Sequence, residues 1–217
     1  MATPKQMARR ERIEAAAYAV LRESGYKGTS LLAVARRASA SNETLYNWYG
    51  NKQSLFRALV ETNAEQARAL LEAALREAGD PLETLAALGP VLLALVTGDK
   101  AIALNRAAAG DATDTATLGP AIAQFGRETI APLLCALLDR ARRAGTLACA
   151  DPAEAAEIYL RLLIGDLQIR RVIGTLDELT PAEIASRSRQ ATALFLRLHA
   201  PGGGQPGAQA PDKDIRE

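Results

Sequence analysis

The run Ser41-Asn42-Glu43-Thr44-Leu45-Tyr46-Asn47-Trp48-Tyr49-Gly50-Asn51-Lys52 crowds amides, hydroxyls and rings together and holds the chain's only tryptophan. Side chains of these types can donate to and accept from phosphates and base edges. None of them is a catalyst alone, and chemistry-bearing residues are sparse elsewhere. His199, the single histidine, has no companion His, Cys or close acid pair for metal binding or acid–base work. Cys135 and Cys149 form no disulfide framework. Neither has adjacent basic residues to lower its pKa, so both read as inert buried thiols. Phosphate-binding glycine loops, a nucleophile elbow and HExxH are absent. The expectation is therefore no catalytic residue, no metal and no cofactor.

The local grammar around this run is helical. Apolar residues Ile13, Ala16, Ala17, Val20 and Leu21 mark one face of a first helix over about 4–24, which Gly25 stops. Ser30 or Thr29 can cap a short second helix carrying Leu31, Val34, Ala35 and Ala38. Ser41 caps a third over 42–48, and Asn51 a long fourth from Lys52 to about residue 78. Two short helices joined by a tight turn make a helix-turn-helix, whose second helix enters the DNA major groove. On that reading Asn42, Thr44, Tyr46 and Asn47 face DNA, and Leu45 and Tyr49 anchor the helix from behind. Lys52, beside free helix N–H groups, suits a phosphate. Arg36 can reach the DNA backbone. Glu43 either accepts from a cytosine amino group or points away. Trp48 either stacks on the DNA backbone or, as is commoner for a lone tryptophan, is partly core.

Composition and charge agree. The 217 residues are rich in alanine and leucine and poor in alternating β-branched runs, which predicts an all-α chain. No stretch of eighteen apolar residues is present and the N-terminus lacks an apolar signal core, so no membrane span and a reduced, cytoplasmic setting are expected. The net charge of +1 hides an asymmetry. Residues 1–52 hold nine Lys/Arg against four acids, a local excess of +5 that suits a polyanion or a solvated face.

These residues carry a family likeness. Gly25-Tyr26-Lys27-Gly28-Thr29-Ser30-Leu31-Leu32-Ala33-Val34-Ala35-Arg36-Arg37-Ala38, then Ser41, Thr44-Leu45-Tyr46, Tyr49 and Lys52, resemble the DNA-binding domain of the TetR family of bacterial repressors. The likeness runs without gaps over about 9–60. Residues 81–200 resemble, less specifically, the family's AefR-like regulatory domains in DPLETL, RARRAGTL and DPAEAAE. The resemblance implies a homodimer reading palindromic double-stranded DNA, released when a small hydrophobic effector changes the spacing of the two heads. It implies DNA contacts from Thr44, Tyr46 and Lys52, with Ser30 and Ser41 as caps that also touch phosphate. The chain departs from the family in having Ser39-Ala40 where Gly-Val is common in the turn, Glu43 for a small residue, and Tyr49 for phenylalanine.

The predicted division is 6–66 for a three-helix DNA-binding domain, 67–200 for a larger helical ligand-binding and dimerisation domain, and 201–217 for a disordered tail. Helical segments are expected near 82–97, 100–109, 119–144, 152–174 and 181–200. Gly165-Asp166 is expected to be tolerated within its helix. The stripes Ala156, Tyr159, Leu160, Leu163, Leu167 and Ile184, Ala191, Leu194, Phe195, Leu198 predict a four-helix dimer seam. Polar residues within apolar helices are effector-site candidates: Asn105, Arg106, Gln124, Arg127, Tyr159 and Gln168. The competing reading is a helical small-molecule-binding protein or enzyme that does not bind DNA.

Overall fold

The computed structural model describes residues 3–77 and 79–201. The expected tail lies, apart from Pro201, outside the described residues. The described chain is all-helical. The N-terminal head comprises α1 (Pro4–Gly28), α2 (Leu31–Arg37) and α3 (Asn42–Tyr49), followed by the long α4 (Lys52–Arg76). Then come α5 (Pro81–Thr97), α6 (Asp99–Asp111), α7 (Leu118–Ile122), a π-helical turn Ala123–Arg127 and α8 (Glu128–Arg143). The chain closes with α9 (Pro152–Ile164), α10 (Leu167–Ile173) and α11 (Pro181–Leu198). No single described helix is long and apolar enough to cross a membrane.

Local signals place the head. Ser30, Ser41 and Asn51 each accept the backbone N–H three residues on, satisfying an orphan donor at the starts of α2, α3 and α4. At Gly25 the backbone turns to φ 66°, ψ −180°, a region essentially reserved for glycine, and α1 breaks there before one last turn. The turn between α2 and α3 is a Schellman motif. Ala40 N–H reaches Ala35 O at 3.0 Å and Ser39 N–H reaches Arg36 O at 3.3 Å. Ser39 sits at φ 50°, where two equivalent motifs in this chain, after α8 and α10, place Gly145 and Gly174.

The second half differs from expectation in three places. The segment expected as one helix over 119–144 is α7, a π-helical turn and α8. The segment over 152–174 is two helices. Gly165, at φ 52°, ends α9 rather than being tolerated within it, and the Arg187 guanidinium packs where its Cβ would stand. Third, much of the apolar stripe expected at a dimer seam is spent inside the chain. Ala156, Tyr159, Leu160, Leu163, Ala191 and Phe195 are buried against the chain's own helices, whereas Leu198 is 65% exposed. Apolar periodicity shows that a face is covered, not by which chain.

Two hydrophobic clusters result. The first gathers α1–α3 on Leu55, Phe56, Leu59 and Val60 of α4, and takes in Ala103, Leu104 and Ala107 of α6 with Leu118. The second gathers Ala67 and Leu71 of α4 with α5, α8, α9 and α11. Burial of each such Leu or Phe contributes about 1.5–3 kcal/mol. Helix α4 is thus shared by both clusters.

Candidate nucleic-acid interface and effector cavity

Helix α3 is held from behind by Leu45, which is fully buried in the first cluster. Its other side is polar. Asn42, Glu43, Tyr46 and Asn47 are exposed, Tyr46 by 53%. Ser41 and Thr44 form a hydroxyl pair at 2.7 Å. Ser30 and Arg36 of α2 are exposed beside this surface. Arg37 is instead paired with Glu23 at 2.6 Å.

Three candidates need a different account. Tyr49 does not join the exposed set: it packs on the first cluster with its hydroxyl enclosed beside Arg10. Burial, then the charge of Glu14, pushes its phenol pKa up, so it stays a neutral anchor. Lys52 donates to Tyr26 O at 2.9 Å, and its ammonium lies 4.2 Å from the Tyr26 ring centroid. Its charge therefore already holds the end of α1 to the start of α4. Trp48 is 40% exposed rather than core, and the Arg9 guanidinium stands 5.5 Å from its ring centroid.

Arg9 is the residue that sequence reasoning missed. From α1 it donates to Thr44 Oγ1 at 2.6 Å and covers Trp48. Basic character in 1–52 was a signal, but nothing local distinguishes Arg9 from Arg10 or Arg12.

The effector candidates divide. Asn105, Arg127 and Gln168 line one cavity of about 230 Å³, walled by aliphatic residues of α4, α5, α6, α8 and α9 and by the π-helical turn. Arg127 is ion-paired with Glu157. Arg106, Gln124 and Tyr159 stand elsewhere. Arg106 donates to the carbonyls of Val172 (2.7 Å) and Arg171 (2.8 Å), closing the end of α10. Gln124 is exposed and edges a separate groove near Tyr26 and Phe56. Tyr159 is fully buried, donates to Leu85 O at 3.1 Å and packs edge-on against Phe195. A polar atom inside an apolar helix is usually there to satisfy a backbone carbonyl, as these two donors do. Asn63 of α4, not foreseen, also lines the cavity.

The two thiols are partly buried. Desolvation raises both pKa values, so neither is poised as a thiolate. Among the described residues no three His, Cys, Asp or Glu side chains gather as a metal site.

Comparison with known proteins places this geometry. The family profile of bacterial regulatory proteins of the tetR type matches residues 13–59. The profile of the AefR-like transcriptional repressor C-terminal domain matches residues 83–201, over half of the chain. No curated protein matches. Among solved structures, a TetR transcriptional regulator from Agrobacterium tumefaciens is 28% identical at a TM-score of 0.69, over 93% of this chain and 97% of that one. The flavonoid-responsive regulator FrrA is 28% identical at 0.64, over 90% and 98%. A TetR-family regulator from Mesorhizobium loti MAFF303099, 24% identical, shares the fold at 0.73 over 92% and 100%. The chain belongs to the TetR family of bacterial regulatory proteins, as a DNA-binding transcriptional regulator, not an enzyme, with an AefR-like C-terminal domain.

Proposed function

We propose that the protein is a repressor that binds a palindromic operator as a homodimer and is released by a small hydrophobic molecule. Residues 6–66 form the reading head and residues 67–200 the sensing and dimerising part. Ser30, Arg36, Ser41, Asn42, Glu43, Thr44, Tyr46, Asn47 and Lys52 carry the DNA contacts. Lys52 exchanges its Tyr26 contact for a phosphate. The observation that supports this reading best is the position of the cavity. Its wall includes Val60, Asn63 and Ala64 of α4, the helix whose first turn carries Lys52 beside the DNA-facing surface. A molecule seated there bears directly on the helix that carries the head. The responsiveness of FrrA to flavonoids, stated in its name, points the same way.

Release requires only that the ligand prefer the DNA-incompetent spacing. A hundredfold preference, about 2.7 kcal/mol per site, suffices to empty a nanomolar operator at modest protein levels. Two-fold symmetry sets half-sites about 34–36 Å apart, or a multiple of that. The test is a band shift on the DNA flanking its own gene, with a salt titration and a thermal-shift screen of apolar compounds. Steep loss of binding with salt and ligand-dependent release are expected. Hits that stabilise the protein yet leave operator affinity unchanged would defeat the mechanism.

A further inference from the structure

We propose that the cavity selects its ligand by hydrogen-bond donation, so that the effector is a compact, neutral, hydroxyl-bearing apolar molecule such as a phenol. An ether or carboxylate of the same shape is rejected. This rests on reading the cavity as the effector site. Asn105 Nδ2 donates to Ala101 O at 2.9 Å, and Gln168 Nε2 donates to Val96 O at 3.2 Å. Only the NH₂ end of an amide can face a carbonyl, so these contacts fix both amide orientations. The Gln168 contact is doubly fixed, because Val96 O is one of the last carbonyls of α5 and lacks an intrahelical partner. Among the described residues, no donor meets either amide oxygen. Asn105 and Gln168, both lining the cavity, therefore keep amide oxygens that no described donor occupies and that a ligand hydroxyl can meet.

A carboxylate would meet those oxygens with like partial charge. Arg127, the one cation among the described residues of the wall, is ion-paired with Glu157. A hydroxyl donates to an amide oxygen and can accept from Asn63, whose side chain makes no hydrogen bond among the described residues. The volume of about 230 Å³ is below the range typical of drug-sized ligands and suits one or two fused rings.

The test compares 2-naphthol, 2-methoxynaphthalene and 2-naphthoate on the full chain by calorimetry, with operator band shifts in parallel. 2-Naphthol should bind at least about tenfold more tightly than either analogue, as expected where a buried polar group is otherwise left unpaired. Ala131→Leu, which fills the cavity, should abolish that binding. Asn105→Leu gives up only a bond to a carbonyl of its own helix, and should narrow the gap between naphthol and ether. Equal affinity for naphthol and ether overturns donor selection while leaving the effector site standing. Tightest binding of naphthoate overturns it in favour of an Arg127 anchor. Binding of naphthol by the Ala131→Leu protein with unchanged affinity, or of none of the three by wild type, overturns it too. The broader screen described above then decides separately whether the cavity senses ligands at all.

Discussion

Arg9 donates to the hydroxyl of Thr44 at 2.6 Å, tying the first helix to the third across 35 positions of sequence. Arginine has only donors, so Thr44 is free to pass its own proton to Ser41 Oγ, 2.7 Å away. Ser41 Oγ also accepts Thr44 N–H at 3.2 Å, which leaves the Ser41 proton for an incoming phosphate oxygen. Arg9→Ala should weaken operator binding by about 1–2 kcal/mol through lost positioning. Arg9→Lys should recover part of this, because an ammonium restores the charge but not the planar guanidinium over Trp48. Quantitative band shifts at fixed salt check both variants. Wild-type affinity in Arg9→Ala would remove this residue from the interface.

Ser39 occupies a left-handed position that Gly145 and Gly174 fill in the equivalent motifs. Ser39→Gly should therefore raise stability by about 1 kcal/mol, the relief of a side chain at positive φ set against the entropy glycine adds to the unfolded chain. Denaturant midpoints measured at constant slope would show it. A lower midpoint would mean that the serine hydroxyl compensates for the strain.

Leu163 and Leu198 lie in stretches that sequence pattern assigns alike to a dimer seam, yet one is fully buried within its own chain and the other is 65% exposed. Leu163→Ala should cost about 2–5 kcal/mol of folding stability. Leu198→Arg should leave the fold intact and weaken the proposed dimer. Sedimentation alongside circular dichroism separates the two effects, and a stable, folded wild-type monomer at micromolar concentration would rule the dimer out.

Asp111 gathers the loop between α6 and α7. It accepts from Thr115 Oγ1 and from the backbone N–H groups of Thr115, Thr117 and Leu118. Burial alone would raise its pKa, but these hydrogen bonds outweigh burial and hold the carboxyl below its ordinary 3.8. A folded pKa below the unfolded one means that the stabilisation is complete above the ordinary value and is lost as pH falls through the depressed one. Acid unfolding followed by circular dichroism should therefore be shallower in Asp111→Asn over that window. An unchanged acid limb would show that the loop contributes no linkage.

The head was legible because its signals are short-range. Ser30, Ser41 and Asn51 announce helix starts within three residues, and the capped polar third helix follows from them. The rest depends on partners far along the chain. Arg171, buried in α10, reaches Thr97 O at 3.0 Å and Asp99 at 2.7 Å, some seventy positions back, and no local pattern marks it. The cavity gathers Asn63, Asn105 and Gln168 from three different helices. Asn105 and Gln168 were visible as amides, but not the carbonyls of Ala101 and Val96 that fix which way each amide is turned.

Along α4, Val60 closes one hydrophobic cluster and Ala67 opens the other, while Asn63 and Ala64 between them face the cavity. The two clusters share α4 but, among the described residues, no side chain, so the melting of one half need not carry the other. The free protein should then unfold in two calorimetric steps, with the amides of the head exchanging with solvent sooner than those around Leu71 and Tyr159. A bound molecule fills the gap and touches both sides of it. Its thermodynamic signature would be a single transition with matching calorimetric and van 't Hoff enthalpies, so the ligand would act as the missing piece of one cooperative core.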